Sequence, residues 1–414
     1  MHIVVIPSWY KTDRQPYSGT FFEEQARALM AAGNKVRIFF PCFYTTSQLF
    51  KVKPKYDFDW NDDGLITRSM LIQGYMPHSP KFNNRYIQWQ SDKMFKKYIE
   101  KDGKPDVIHA HSVFDAGIIG MSLSEKFDIP LVLTEHLTHF TGSLAGNASK
   151  LDVARNIILG TSQSIAVSHC FKEDLERELG LEESIFRVVY NMAGNLFHDT
   201  FKPRTWNPDE EFIFFTNSFL QPRKNLSLQL DALRKLVDKK CRARLVVGGT
   251  GEEENYLKQY AIKLGLENHV KFLGGLNRKR VKEEIDNSHA FLLSSEFESF
   301  GVVLIESIIS GRPAISTDCG GPSEIINETN GYLVPVNDTT RYAETMEKMM
   351  QNYRHFNQQK MREECYARFS QQTIASELMK VYEDVIKKFQ KVNTGRISLR
   401  QQVATLSSWL FFLE

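Results

Sequence analysis

Glu298 and Glu306 are separated by seven residues in the run Ser294-Ser295-Glu296-Phe297-Glu298-Ser299-Phe300-Gly301-Val302-Val303-Leu304-Ile305-Glu306. The pattern reads as a strand end, a short loop carrying a carboxylate, and an apolar helix opening at Gly301. A glycine there lets backbone N–H groups approach a ligand closely, and a helix N-terminus favours an anion. Glu306 falls about two turns into an otherwise apolar helix, where an ionised carboxyl is costly unless a partner satisfies it. Two readings stand side by side. Either the carboxylates hold polar groups of a ligand, or Glu298 caps the helix and Glu306 is structural, paired with an arginine or a backbone amide elsewhere.

Histidines form the second set. His109 and His111 alternate along the run Val107-Ile108-His109-Ala110-His111, so both face the same side of a strand. No carboxylate or cysteine completes a metal set with them, which leaves structural or ligand-binding roles. His136 closes Leu133-Thr134-Glu135-His136 after another strand, as a ligand contact or as a capping or core histidine. His139 has no evident place.

Short apolar runs alternating with amphipathic helical stretches must position these groups, which is the pattern of parallel-sheet α/β proteins. Strands are expected at Met1 to Pro7, Val36 to Phe40, Val107 to His111, Leu131 to Thr134 and Ser164 to Ser168. After Asn207-Pro208 the alternation starts again, with strands at Phe212 to Thr216, Ala243 to Val247, Val270 to Leu273, Ala290 to Ser294, Ala314 to Thr317 and Tyr332 to Val334. Helices are expected at Phe21 to Ala32, Leu226 to Asp238 and 373–392. Residues 45–84, with Pro54, Pro77 and Pro80, read as irregular. The expected organisation is therefore a first βα domain over 1–198, a second βα domain over 199–375, and a closing helix and tail over 376–414 returning to the first domain. Two such domains facing each other make a cleft, the usual place for a ligand.

The 414 residues, 42% hydrophobic and 25% charged, are enough to build a core in each half and exclude disorder as the main character. A net charge of +2 argues against nucleic acid as a partner. No run reaches the roughly 18–20 apolar residues of a membrane span, and Met1 leads straight into a strand without signal-peptide features. The five cysteines lie far apart without a Cys-x-x-Cys pair, which fits a reducing cytoplasm.

Glu298 and Glu306 match the E-x7-E signature of retaining glycosyltransferases of family 4, which have the GT-B fold. Gly248-Gly249-Thr250-Gly251-Glu252, Gly320-Gly321-Pro322-Ser323-Glu324-Ile325-Ile326 and Asn330-Gly331-Tyr332-Leu333-Val334-Pro335 resemble further elements of that family, in order. Pro7-Ser8-Trp9-Tyr10 and Gly19-Thr20-Phe21-Phe22-Glu23-Glu24-Gln25-Ala26 resemble bacterial members that build surface polysaccharides. The likeness runs from residue 1 to about 390.

The resemblance implies two Rossmann-like domains around a central cleft and transfer of a hexose, with retention, from a UDP- or GDP-sugar to a hydroxyl of a glycan. The implied acceptor is lipid-linked, in exopolysaccharide, capsule or lipopolysaccharide synthesis. It implies that Glu298 holds hydroxyls of the transferred sugar, Glu306 accepts from the ribose hydroxyls, and the amides around Phe300, Gly301 and Val302 meet the diphosphate. His136 becomes a donor-sugar contact, Lys224 a diphosphate contact, and Gly19 a close backbone approach opposite the phosphates or simply a tight turn. His136, Glu298 and Lys224 form the implied catalytic set, with no metal and no cofactor. One departure stands out: the arginine that the family places five residues before Lys224 is Phe219 here, and Arg223 is the candidate to compensate. Another GT-B enzyme such as a nucleotide-sugar epimerase, or a non-catalytic glycan-binding subunit, is the alternative.

Residues 85–104 interleave Arg85, Lys93, Lys96, Lys97, Lys101 and Lys104 with aromatic and aliphatic residues. Such a helix packs on a sheet or lies on an anionic membrane, so peripheral contact at the inner face of the cell membrane joins the cytoplasmic expectation. The apolar end Trp409-Leu410-Phe411-Phe412-Leu413 reads as an anchor, a docked segment or a loose terminus.

Overall fold

The computed structural model describes residues 1–11, 18–45, 58–75, 80–136, 147–199 and 201–410. The first sheet contains β1 (His2–Pro7), β2 (Lys35–Thr45), β3 (Phe58–Asp62), β4 (Leu65–Tyr75), β5 (Val107–His111), β6 (Leu131–Glu135), β7 (Gln163–Ala166) and β8 (Phe186–Val188), in the order β3-β4-β2-β1-β5-β6-β7-β8. The second contains β9 (Phe212–Asn217), β10 (Ala243–Gly248), β11 (Val270–Gly274), β12 (Ala290–Leu293), β13 (Ala314–Thr317) and β14 (Gly331–Val334), in the order β11-β10-β9-β12-β13-β14. Neighbouring strands run parallel throughout, except that β3 pairs antiparallel with β4. Parallel strands are covered by helices on both faces, which is why runs such as Val107–His111 and Leu131–Glu135 are buried end to end.

Each sheet changes direction of growth once, between β1 and β5 and between β9 and β12. A crevice opens outside the strand ends at such points. Trp9 after β1, His136 after β6, Phe219 after β9, Thr250 after β10 and Glu298 after β12 all line one cleft.

Within the segment 45–84, the described residues form regular elements where irregular structure is expected. β2 runs on to Thr45, and β3 and β4 form a hairpin across Asp63-Gly64, with φ of 45° and 88°. Two consecutive positive φ values are what a two-residue hairpin turn of matching twist needs, and Asp-Gly supplies them. Pro80 opens the helix Pro80–Asp102, where its missing N–H costs nothing. Pro54 and Pro77 lie outside the described residues. That helix buries Ile87, Met94, Phe95 and Tyr98, so its apolar stripe packs on the first sheet. Arg85, Lys93, Lys96, Lys97 and Lys101 face outward with Trp89, which stays 57% exposed.

The closing helix is longer than 373–392, running over Gln371–Leu410. Ile374, Leu378, Val381, Tyr382 and Val385 bury themselves with Phe22, Ala26 and Leu29 of the helix Thr20–Ala31, so the chain returns to its first half. The side chains of Trp409 and Leu410, and residues 411–414, lie outside the described residues. Helix Asn195–Asp199 precedes the expected boundary at 198/199 for most of its length, yet packs on the second half: Ser310 donates to the Phe197 carbonyl at 3.3 Å. Among the described residues no helix is long and apolar enough to cross a membrane.

Candidate active site

β12 ends at Leu293, and the loop after it is pinned from two directions. Glu298 N donates to the Cys319 carbonyl at 2.9 Å, and Gly321 N donates to the Glu298 carbonyl at 3.0 Å. On the other side, Ser294 Oγ donates to the Lys224 carbonyl at 2.8 Å and Glu296 N to the Arg223 carbonyl at 2.9 Å. The loop after β9 is thereby tied to the loop after β12. The result is a buried pair: Lys224 Nζ donates to Glu298 Oε1 at 2.5 Å, and Ser295 Oγ to the same oxygen at 2.6 Å. Burial alone would raise the Glu298 carboxyl. The Lys224 charge and the hydrogen bonds from Lys224 and Ser295 outweigh it and hold the carboxyl below the usual range.

Gly301, at φ 106°, turns the chain into the helix Val302–Ile309, and no side chain caps that helix. Glu298 is therefore not a cap, because its carboxylate is committed to Lys224 and Ser295. The helix N-terminus therefore has no side-chain cap where Phe300, Gly301 and Val302 line the cleft. Glu306 is the fifth residue of the helix, a little over one turn in rather than two. Its side chain is 1% exposed. The arginine elsewhere in the chain is Arg278, whose Nη1 donates to Glu306 Oε1 at 2.5 Å. Oε2 is buried and makes no hydrogen bond among the described residues. Burial raises the Glu306 carboxyl above its ordinary range, with Arg278 opposing the rise.

Arg278 begins the helix Arg278–Asn287, whose N-terminus Asn277 caps. Its guanidinium also meets Glu24 on the helix Thr20–Ala31, with Nη2 2.7 Å from Glu24 Oε1. Sequence reasoning missed both partners of this bridge. Asn277 ahead of a polar helical run marked where the helix begins, but nothing local marked Arg278 as a partner of Glu306.

On the facing wall, His136 lines the cleft with its ring against Phe21 and Phe22, at centroid distances of 5.1 and 5.6 Å. Glu135 fixes the turn by accepting from His136 N and Val113 N, both at 2.7 Å. Behind His136 stands a file of rings. His136 Nε2 is 2.9 Å from His111 Nδ1, the His111 ring lies tilted against His109 at a centroid distance of 4.2 Å, and His109 Nδ1 is 2.7 Å from the Tyr382 hydroxyl on the closing helix. Ser299 Oγ reaches the His136 carbonyl at 3.2 Å, so the carboxylate loop and the histidine segment touch across the cleft. The cleft encloses about 540 Å³.

Glu298, Lys224, Glu306, His136, Arg223, Phe300, Gly301 and Val302 thus converge on one cavity. Gly19 does not line it. At φ 70°, a Cβ there would come within 2.8 Å of the Trp9 carbonyl, so Gly19 serves the tight turn that delivers Trp9, Thr20 and Phe21 to the wall. Phe219 is 72% exposed and lines the cleft, and Arg223 shares that wall with Lys224. Ser168 Oγ donates to the Ser299 carbonyl at 2.7 Å, and the Tyr190 hydroxyl donates to Glu324 Oε2 at 3.1 Å, so both of these first-half residues contact the second half. His139 lies outside the described residues, and no group of side chains among the described ones is arranged to hold a metal ion.

Burial pushes the His109 and His136 imidazoles down to about 3, and His111 well below its ordinary value. Below about pH 6.5 the unfolded chain then takes up protons that the folded chain refuses, so each of these histidines costs about 1.4 kcal/mol of stability per pH unit of acidification. The thermal midpoint is expected to fall between about pH 7 and pH 5, and to fall less in His109→Gln. Equal slopes for the two proteins would show that His109 is not held neutral.

Two facing Rossmann-like domains with a cleft between them make this a GT-B protein. Residues 18–193 match the family described as Glycosyltransferase Family 4, and residues 198–369 match Glycosyl transferases group 1. N-acetyl-alpha-D-glucosaminyl L-malate synthase of Bacillus anthracis is 29% identical over 292 residues, covering 68% of this chain and 75% of that protein. Sucrose-phosphate synthase of Thermosynechococcus elongatus superposes with a TM-score of 0.73 at 18% identity, over 94% of this chain and 100% of that one. HepE of Anabaena, solved with UDP and glucose, superposes with a TM-score of 0.69 at 18% identity, over 92% of this chain and 99% of that one. The chain belongs to the group 1 glycosyltransferases of the family 4 type and is a hexosyltransferase.

Proposed function

We propose that this chain transfers a hexose from a UDP- or GDP-sugar to a hydroxyl of a lipid-linked glycan, with retention, in bacterial surface polysaccharide synthesis. The observation that carries the donor assignment is the buried, unpartnered Oε2 of Glu306 in the cleft wall. A buried acceptor without a donor is expensive, and ribose hydroxyls supply the donors. The UDP and glucose bound by HepE support a nucleotide-sugar of that kind.

As the sugar–oxygen bond lengthens, negative charge grows on the departing diphosphate. Lys224, Arg223 and the uncapped helix N-terminus line the cleft and receive it in this reading, and preorganised donors of this kind are each worth about 3 kcal/mol. No divalent ion is needed in this reading. Glu298, held ionised by Lys224, accepts from hydroxyls of the transferred sugar. His136 stays neutral and so offers a hydrogen bond rather than a charge. Because Glu298 and Glu306 serve different parts of one donor, neither acts as a glycosidase nucleophile, and the departing phosphate takes the acceptor proton on the same face. The outward lysines around exposed Trp89 suit a peripheral approach to an anionic membrane carrying the acceptor.

Arg223 supplies the charge that Phe219 lacks. Arg223→Ala is expected to weaken nucleoside-diphosphate binding about 10- to 30-fold, and Phe219→Arg in that background to recover most of it. Undiminished binding in Arg223→Ala would remove Arg223 from the phosphate site. The function itself is tested by offering a panel of UDP- and GDP-sugars with lipid-linked glycan acceptors and reading the product by NMR. A product with inverted anomeric configuration, or sugar-nucleotide isomerisation without transfer, would overturn it.

A further inference from the structure

Arg278 makes more connections than a cleft-side helix residue needs. Its Nη1 donates to Glu306 Oε1 at 2.5 Å, while Nη2 donates to both oxygens of Glu24 at 2.7 and 3.0 Å and Nε to Oε1 at 3.1 Å. Glu306 and Arg278 belong to the second half, and Glu24 to the first. The guanidinium also lies 4.7 Å from the centre of the Phe197 ring, in the segment that joins the halves. Gly194 closes behind Glu24: a Cβ there would lie 2.6 Å from Glu24 Oε1 and 3.0 Å from Cδ. The connecting segment therefore leaves room for the Glu24 carboxylate and for little more.

A guanidinium prefers to offer two parallel N–H groups to one carboxylate. Here that fork is spent on Glu24, and Glu306 receives a single N–H. We propose that Glu24 is a positioning residue for the donor site on the opposite half: by engaging the Arg278 fork, it keeps Arg278 from closing over both oxygens of Glu306 and leaves Oε2 for the nucleotide ribose. This rests on the ribose assignment of Glu306 made above. Without Glu24, Arg278 pairs both oxygens of Glu306 and competes directly with the ribose hydroxyls. With it, the donor site is complete only while the two halves stand as they do here. Nucleotide binding and the juxtaposition of the halves then favour each other by the same factor.

The test is calorimetric titration of the full chain with UDP, GDP and ADP, comparing wild type with Glu24→Gln, Gly194→Ala and the double variant. Gly194→Ala changes no charge; it displaces the Glu24 carboxylate sterically and carries the test if Glu24→Gln fails to fold. Each single variant is expected to bind the preferred nucleotide about tenfold more weakly with an unchanged thermal midpoint. The double variant is expected to be no weaker than Glu24→Gln alone, because both changes break one contact. Unchanged affinity in the folded single variants, or losses that multiply in the double variant, would overturn the proposal. Failure of the wild type to bind any of the three nucleotides would instead overturn the ribose assignment beneath it.

Discussion

Glu306→Ala is expected to weaken nucleoside-diphosphate binding about 100-fold while leaving the chain folded. A carboxylate that accepts from two ribose hydroxyls makes two charge-assisted hydrogen bonds, each worth about 1.5–3 kcal/mol, so losing both removes about 3 kcal/mol or more. Stability is spared for a reason visible in the site. Glu306 is a buried carboxylate raised above its ordinary range by desolvation, so removing it relieves a cost. Arg278 meanwhile keeps its fork on Glu24 and is not left as an uncompensated charge. Titration calorimetry beside a thermal melt separates the two effects. Unchanged affinity would exclude the ribose role, and a collapse of the melt would make Glu306 a structural residue.

Lys224→Ala strikes the chemistry rather than the resting complex. Lys224 holds Glu298 at 2.5 Å, and both side chains are largely buried, at 14% and 11% exposure. The substitution removes a cation aimed at the leaving diphosphate and leaves the Glu298 carboxylate to the Ser295 hydroxyl and the Arg223 charge. Loss of one preorganised donor of this kind costs about 100- to 1,000-fold in rate. Turnover is therefore expected to fall by that factor, with a smaller change in KM. Because Lys224 is what holds the Glu298 carboxyl down, the remaining activity should also decline at a higher pH on acidification than in wild type. A KM effect alone would assign Lys224 to uniform substrate binding.

The parallel strands were legible because both of their faces are buried, which turns each into a short apolar run. Val107–His111, Ala314–Thr317 and the helix Leu226–Asp238 have the limits that patterning predicts. The hairpin β3–β4 was not read because β3 is the sheet's outer edge, where exposed Asp59 and Asn61 flank Trp60 and break up the apolar run. Its Asp63-Gly64 turn was nevertheless the strongest local signal in the segment.

In the site, the spacing of Glu298 and Glu306 was visible, and so was the uncertainty over what satisfies them. The structural reading of Glu306 holds for one of its two oxygens, and the other is the one the proposed ligand role uses. Oε1 has its arginine and Oε2 is open. The partners were beyond reach of any periodicity, because Lys224 lies 74 positions from Glu298 and Glu24 lies 254 from Arg278. Only the fold brings such residues together. Arg223 and Lys224 illustrate the same limit, since adjacency in sequence left open whether both face the cleft, and the short turn at Pro222–Lys224 brings both to its wall.

The most direct measurement is a calorimetric titration of the purified chain with UDP, GDP and ADP in the presence of a chelator, repeated with Glu306→Ala. Micromolar binding of UDP or GDP, lost on removal of the Glu306 carboxylate, is the predicted result; it would place a nucleoside diphosphate in this cleft without a metal. Absence of binding by all three nucleotides, or binding that survives Glu306→Ala intact, would contradict it.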